Sequence, residues 1–296
     1  MSNRFIDLHC HSTASDGSLP PREVVRLGKA QGISAMSLTD HDTIAGIGEA
    51  AETAAELGID FIPGIEISAE FPLPGTLHIL GYGIDPNSSV LRAMTDALVA
   101  GRDNRNPKIV EKLESMGVAI SMEEVEQEAR GDQKTTEAVS PPSVIGRPHI
   151  AAILVRKGYV TSVKQAFDKY LAPGGLAYFD KERLSPALAL QCIKDSGGIP
   201  VLAHPVQLRT ENDAQLQNVL KNLVDLGLGG IEVLHSDHTP DQTEKYRALA
   251  RRYNLVPTGG SDFHGRSKEK ISLGYVNGQR VPRELFEQLK EKLNHK

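Results

Sequence analysis

Histidines and carboxylates recur in this chain at the ends of short apolar runs. His9 and His11 follow the run that begins at Phe5, and their spacing places both imidazoles on one face of a strand. Similar positions later in the chain are held by Asp16, Asp40, His41, Glu66, His78, His204, Asp262 and His264. Imidazole and carboxylate ligands without thiolate suit Zn, Mn or Fe. The pattern therefore predicts a metal site.

Each of these residues also has an ordinary alternative role. A single histidine such as His78 is commonly structural, and an isolated carboxylate such as Asp16 is commonly solvated. The set as a whole favours metal binding, because chance would also place such residues on helix surfaces and at strand starts. The number of candidate ligands exceeds the four that one zinc ion usually takes, so we expect two or three ions that share a bridging carboxylate.

The two ends of the chain alternate between predicted strands and predicted helices, as in α/β proteins. The predicted strands of the first part span residues 5–11, 33–40, 60–68 and 76–83. The alternation returns after residue 184, which indicates a mainly parallel sheet that is long enough to close into a barrel. Because (β/α) barrels build their active sites at the carboxyl ends of the strands, the histidines lie where a catalytic site is expected.

The middle of the chain is predicted to be helical. It contains a capping box, Ser121 with Glu124, and a polar, proline-rich loop at residues 131–146. We therefore predict a first barrel part at 1–94, a helical insertion that caps the substrate at 95–180, and a second barrel part at 181–296.

Composition excludes several classes of protein. The net charge of −5 over 296 residues disfavours stable binding to duplex DNA, which usually needs a basic surface. The first residues lack a signal-peptide core, and no run of about 18 apolar residues occurs, so we expect a cytoplasmic protein without a membrane partner. Gly-x-Ser-x-Gly and Cys-x₅-Arg motifs are absent, which argues against a serine or cysteine nucleophile.

The motifs HCHSTASDG, LTDHD, GIEIS, AHP and SDFH, in this order, resemble those of the PHP (polymerase and histidinol phosphatase) superfamily. The resemblance covers residues 4–83 and about 185–280. It implies a distorted seven-stranded (β/α) barrel, the PHP fold, with about three divalent metal ions. The implied ligands of the three ions are, in turn, His9, His11, Glu66 and Asp262, then Glu66, His78 and His204, and finally Asp16, His41 and His264.

Supporting and catalytic roles are also expected. Asp40 is expected to orient a ligand through a hydrogen bond. His204 and His264 are chemically able to act as general acids, although the metal ions would occupy them. The length and the helical insertion look most like nucleoside 3′,5′-bisphosphate phosphatases, whose relatives act as 5′-to-3′ exoribonucleases.

Three further residues are predicted to contact the substrate. Arg147 and His149 lie in a stretch, residues 146–149, that is similar to a phosphate-contacting segment of those enzymes, and a helix start there would favour an anion. The alternative is a solvent-facing helix start. His238 could face the mouth of the barrel. Weaker candidates are His235, Lys181 and Arg183.

The leading hypothesis is a metal-dependent phosphoesterase that hydrolyses the 3′-phosphate of nucleoside 3′,5′-bisphosphates and also trims short RNA from the 5′ end. Its expected partner is a small phosphorylated substrate, either a nucleotide or a short oligoribonucleotide. One alternative is a histidinol phosphate phosphatase, although the helical insertion could cap a larger substrate. Another is a non-catalytic metal-binding scaffold, which the intact ligands at every motif disfavour.

Overall fold

The computed structural model describes residues 5–72, 74–130, 144–180 and 183–295 of the chain. The strands are β1 (Phe5–Asp7), β2 (Ile33–Met36), β3 (Asp60–Phe61), β4 (Gly64–Ala69), β5 (Leu77–Tyr82), β6 (Ile199–Leu202), β7 (Gly230–Leu234), β8 (Val256–Gly259), β9 (Tyr275–Val276) and β10 (Gln279–Arg280). The α-helices are α1 (Pro21–Ala30), α2 (Ile47–Leu57), α3 (Ser89–Ser115), α4 (Met122–Arg130), α5 (Arg147–Arg156), α6 (Val163–Ala166), α7 (Pro186–Asp195), α8 (Asp213–Asp225), α9 (Pro240–Arg252) and α10 (Glu284–Asn294).

The strands form three sheets. β1, β2 and β3 are parallel, and β9 pairs with β10 as a small antiparallel hairpin. The third sheet has the order β4-β5-β6-β7-β8. Its last three strands are parallel, and helices connect them, as the alternating sequence predicts.

Strand β5 runs antiparallel to both of its neighbours, β4 and β6, which differs from the predicted mainly parallel sheet. The connection from β4 to β5 spans only residues 70–76. A parallel crossover needs a dozen or more residues, so the chain can only turn back here.

The edges of the two larger sheets meet at isolated bridges. Cys10 pairs with Phe263 beyond β1 and β8, and His41 pairs with Glu66 beyond β2. At the first of these edges the backbones approach closely, since a Cβ atom on Gly260 would lie 2.3 Å from the amide nitrogen of His9. The described strands do not form one continuous closed barrel, so the α/β fold is found and the seven-stranded closure is not.

Helix starts follow the predicted signals. α1 carries proline in its first turn, and α9 begins with a capping box between Thr239 and Gln242. The predicted capping box of α4 is confirmed. The hydroxyl of Ser121 accepts from the amide of Glu124 at 3.3 Å, and the carboxylate of Glu124 accepts from the amide of Ser121 at 3.0 Å. Most of the predicted loop at 131–146 lies outside the described residues.

Three buried hydrophobic clusters stabilise the described part of the chain. The largest lies around β4–β8 and includes Leu91 and Leu98 from the first half of α3. Another, separate from the sheets, contains Ile109 and Leu113 from the second half of α3, together with α5 and its neighbours. Helix α3 therefore begins against the sheet and ends in a helical core. Within the described residues, no helix combines the length and apolarity needed to cross a membrane.

Candidate active site

Glu66 lies at the centre of the predicted metal site. It points inward from β4 and is fully buried. In the β4–β5 ladder, Ser68 pairs with His78, so Glu66 and His78 are diagonal neighbours on one face. Oε1 of Glu66 is 2.9 Å from Nδ1 of His78 and 2.9 Å from Nε2 of His204.

The second oxygen of Glu66 faces the other predicted ligands. Its Oε2 lies 3.0 Å from Nδ1 of His41, 3.4 Å from Nε2 of His9 and 3.3 Å from Nε2 of His11. One carboxylate thus contacts five imidazoles, which is the arrangement expected of a bridging ligand.

Asp262 and Asp16 complete the group. Oδ1 of Asp262 is 3.2 Å from Nε2 of His11. Oδ1 of Asp16 is 3.3 Å from Nε2 of His264, while Nδ1 of His264 donates to the carbonyl of Asp262 at 2.8 Å. Because a carbonyl oxygen can only accept, Nδ1 of His264 carries the proton, and in the neutral ring the Nε2 lone pair is directed at the site.

The donor atoms fit divalent metal ions. Sets of ligand atoms within 4.8 Å of one another are His11, Asp16, His41 and His264; His9, His11 and Asp262; His9, Glu66 and His204; His41, Glu66 and His78; and His9, Glu232 and His235. Several buried imidazole nitrogens form no hydrogen bond with any described group, among them Nε2 of His9 and both nitrogens of His11. Buried polar atoms normally have partners, so these nitrogens fit a role in binding metal ions. The structure brings all nine predicted ligands together.

The protonation states of Glu66 and His264 suit metal binding, whereas His9 and His11 must lose a proton to bind an ion, because neighbouring carboxylates overcome the effect of burial and raise the pKa of both, that of His11 to about 9. Burial acts to raise the pKa of Glu66, but His41 and His78 hold it well below its usual range. Burial, together with the charges of Lys268 and His11, lowers the pKa of His264 to about 4. Ionised carboxylates and neutral imidazoles are the forms that coordinate metal ions.

Asp40 organises the loop that carries Asp16. It is buried and accepts hydrogen bonds from the amide and hydroxyl of Ser12, both at 2.7 Å, and from the hydroxyl of Ser15 at 2.6 Å. The described hydrogen bonds of Asp40 are made with these two serines, which flank the Asp16 loop, so a direct hydrogen bond from a ligand to Asp40 stays a prediction. Asp40 thus bears on the site by fixing the loop between His11 and Asp16.

Asp7 has a comparable position that the sequence did not reveal. Its Oδ1 accepts from the amides of His9 and Ser261, both at 3.0 Å, and thereby joins the two segments that carry His9 and Asp262. The only available signal was a carboxylate inside an apolar strand.

Three of the six non-glycine residues with positive φ among the described residues lie at the site. Asp42, His204 and Asp262 have φ angles of 57°, 21° and 59°, in the region that favours glycine. Such conformations persist where the surrounding structure fixes them, and they are frequent at functional sites.

Two further residues join the cluster from β7 and its end. Glu232 is fully buried, and its Oε1 lies 3.0 Å from Nδ1 of His9. Nε2 of His235 lies 3.4 Å from Oδ2 of Asp262. His235 directly follows β7, so the strand-end pattern applies to it as well. From the sequence it was predicted only as a weaker candidate for substrate contact. Glu232 lies within the strand, where that pattern does not apply.

Four arginines interact electrostatically near the site, and Arg102 connects them to it: Arg102, Arg105, Arg147 and Arg183. Arg102 is ion-paired with Asp42, next to His41. Burial, followed by the charges of the other three arginines, lowers the pKa of Arg105 to about 9. The described residues provide Arg105 with no ion-pair partner, and its guanidinium donates to the adjacent Asn106 at 2.8 Å. The sequence predicted only Arg147 and Arg183.

The buried stripe of α3 contains the signal for Arg102 and Arg105. Buried positions recur at helical spacing through Leu91, Leu98 and Ile109, and the two arginines occupy the same stripe. Charged residues on a buried helix face are unusual unless they are paired or functional.

The predicted substrate contacts differ in their surroundings. Arg147 begins α5, and its guanidinium donates to the carbonyl of Leu171 at 2.8 Å. His149 is buried, and its Nδ1 accepts from the amide of Gly146 at 3.0 Å. His238 is buried beside His235, so it does not open to solvent. Lys181 lies outside the described residues.

Comparisons with known proteins identify relatives along most of the chain. Residues 7–173 match the model of the PHP domain. A 5′-3′ exoribonuclease of Haemophilus influenzae is 36% identical, over 87% of this chain and 89% of that protein. A 3′,5′-nucleoside bisphosphate phosphatase of Chromobacterium violaceum is 34% identical, over 92% and 91%. A phosphoribosyl 1,2-cyclic phosphate 1,2-diphosphodiesterase of Eggerthella lenta is 32% identical, over 93% and 98%.

A similar fold occurs in a solved structure from Bifidobacterium adolescentis, a proposed metal-dependent phosphoesterase. The TM-score is 0.82 at 31% identity, and the match covers 97% of this chain and 95% of that one.

Proposed function

Because the chain belongs to the PHP domain family and is a metal-dependent phosphoesterase, we propose that it hydrolyses the 3′-phosphate of nucleoside 3′,5′-bisphosphates. The observation that carries this proposal is the position of the arginine group beside the metal-binding cluster. A substrate with two phosphates needs one site for the phosphate that is cleaved and another for the phosphate that is kept.

Arg105 is the main anchor proposed for the unreacting phosphate. Its guanidinium is buried and has no carboxylate partner among the described residues, so a phosphate would relieve its repulsion by the other arginines. A guanidinium also matches phosphate geometry through paired N–H donors. Arg147 acts with it in this proposal, at the start of α5.

The nine predicted ligands are proposed to hold about three divalent ions, of Mn, Fe or Zn. Bound ions would supply a hydroxide nucleophile at neutral pH and neutralise charge on the phosphoryl oxygens. The residues of the chain then hold and orient this assembly. Glu66 links the two halves of the site, and Asp40 fixes the Asp16 loop. His204 and His264 present their Nε2 atoms toward carboxylates of the cluster.

A barrel with a helical insertion is the architecture that we propose for the chain. The bridges at Cys10–Phe263 and His41–Glu66 support a distorted seven-stranded (β/α) barrel of the PHP type, formed by residues 1–94 and 181–296. The separate hydrophobic core that contains Ile109 supports a helical insertion at 95–180, which would cover the substrate.

Short RNA is a second candidate substrate, supported by the likeness to the Haemophilus influenzae exoribonuclease. A 5′-terminal nucleotide offers the same two groups, a terminal phosphate for the arginines and a neighbouring phosphodiester for the metal site.

Product analysis over a panel of substrates tests the proposal. Adenosine 3′,5′-bisphosphate, a 5′-phosphorylated RNA trimer, phosphoribosyl 1,2-cyclic phosphate, histidinol phosphate and an aryl phosphate would be compared by kcat/KM with Mn²⁺ present. We expect the bisphosphate to exceed the aryl phosphate by at least about tenfold to a hundredfold, the worth of one charge-assisted phosphate contact. Preference for histidinol phosphate, or equal rates on all five, would reject the assignment.

A further inference from the structure

Glu232 occupies a position in the site that the metal ligands alone do not explain. Its side chain is fully buried in the middle of β7, between β6 and β8. Oε1 accepts a hydrogen bond from Nδ1 of His9 at 3.0 Å, and Oε2 accepts one from the backbone amide of His204 at 2.8 Å. One carboxylate therefore contacts two segments that each carry a predicted ligand.

The bond to His9 determines which ring nitrogen is free. If Nδ1 carries the proton that it donates to Glu232, Nε2 retains its lone pair. Nε2 of His9 lies 3.4 Å from Oε2 of Glu66 and 3.6 Å from Oδ1 of Asp262, on the side where the other ligand atoms converge. The hydrogen bond thus directs the coordinating nitrogen of His9 toward the cluster.

The bond to His204 acts on the backbone. His204 has a φ angle of 21°, which is unfavourable for a residue with a side chain. A charge-assisted hydrogen bond to its amide from a buried carboxylate can hold that conformation. In this geometry the imidazole reaches Oε1 of Glu66, at 2.9 Å from Nε2.

We infer that Glu232 is a positioning residue of the metal centre, which fixes the tautomer and orientation of His9 and the strained backbone of His204 from one carboxylate. The inference rests on the proposed metal-dependent function. It assigns Glu232 an effect on metal affinity that a purely structural carboxylate would not have.

The substitution Glu232→Gln keeps the size of the side chain and replaces one acceptor oxygen by an NH₂ donor. That donor would face either the N–H of His9 or the amide of His204, so one of the two bonds is lost. Groups that orient metal ligands in this way change metal affinity by about tenfold to a hundredfold. The whole chain should still fold, because the other contacts of the site remain.

The experiment measures Mn²⁺ binding to chelator-treated protein by titration calorimetry, together with ¹⁵N spectra of the histidine rings. Glu244→Gln, an exposed position on α9, is the matched control. We expect Glu232→Gln to bind Mn²⁺ at least about tenfold more weakly, and the Nδ1–H signal of His9 to be altered. The control should match the wild type in both measurements.

If the Kd of Glu232→Gln for Mn²⁺ lies within about threefold of the wild-type value, the change is well below the expected tenfold loss and would overturn the inference. A wild-type protein that binds none of Mn²⁺, Fe²⁺ and Zn²⁺ would instead reject the proposed metal-dependent function, and the inference with it. If Glu232→Gln does not fold, Glu232→Asp takes its place. The aspartate side chain keeps the charge but is too short to reach both partners, so the same loss of affinity is expected, and wild-type affinity in this variant would overturn the inference.

Discussion

Arg102 of α3 is ion-paired with Asp42, the residue that follows the predicted ligand His41. Nε of Arg102 lies 3.2 Å from Oδ2 of Asp42, and both side chains are buried. Asp42 in turn accepts a hydrogen bond from the amide of Ser68 at 2.8 Å, two residues beyond Glu66. The long helix is therefore joined directly to the strand that carries the central carboxylate.

Breaking this ion pair is expected to destabilise the fold. Arg102→Met removes the cation paired with the buried carboxylate of Asp42, and such losses amount to about 3–5 kcal/mol. Urea unfolding would measure it. Adding Asp42→Asn to Arg102→Met should recover part of the loss, since the uncompensated charge is then removed. Arg26→Met breaks an exposed pair with Glu23 and should change stability by less than about 1 kcal/mol. Equal effects of Arg102→Met and Arg26→Met would contradict the structural account.

Substitution of Arg105 is expected to change substrate preference. Arg105→Met should lower kcat/KM for adenosine 3′,5′-bisphosphate by about tenfold to a hundredfold, and lower it for an aryl phosphate much less, because only the bisphosphate uses the anchor. Arg147→Ala should act in the same direction. Arg156→Met, an exposed position at the end of α5 that pairs with Glu128, is the control. Equal losses on both substrates would show that Arg105 is not the anchor.

Glu66→Gln is expected to lower phosphatase activity at least about a hundredfold, by analogy with losses at other metal sites. The amide lacks the charge that would balance two cations at once. Glu70→Gln, at an exposed position just after β4, provides a matched control. Wild-type turnover by Glu66→Gln would show that this carboxylate is not a ligand.

Metal content offers an independent check. Protein purified without chelator should contain well over one equivalent of Mn, Fe or Zn by elemental analysis. Chelation should lower the melting temperature, because an ion at a hundredfold its Kd contributes about 2.7 kcal/mol to stability. Full activity in excess chelator, with metal near zero, would end the metal hypothesis.

The sequence was informative where ligands follow strands. His9, His11, Glu66 and Asp262 were singled out because each follows or ends a predicted strand, the family resemblance assigned them to one ion, and the structure brings them together. Glu232 was missed because it lies inside β7, where a single buried carboxylate gives no periodic signal.

The other differences involve contacts between distant segments. The antiparallel direction of β5 was visible in principle, since residues 70–76 are too few for a crossover. The arginine group was not, because Arg105 and Arg183 are far apart in sequence and come within electrostatic range only in the folded chain.

The positive φ angles at Asp42, His204 and Asp262 lower the stability of the folded chain at positions in or beside the site. Each conformation costs on the order of 1–3 kcal/mol, and glycine would adopt it with little strain. Substitution of His204 or Asp262 by glycine would therefore remove a predicted ligand and, in the metal-free chain, relieve backbone strain, whereas substitution of Asp42 would also break its buried pair with Arg102. Inactive variants should accumulate in cells as abundant, well-folded protein. A selection for yield or thermal tolerance alone would consequently drive the chain away from catalysis, so directed evolution of this scaffold needs an activity screen at every round.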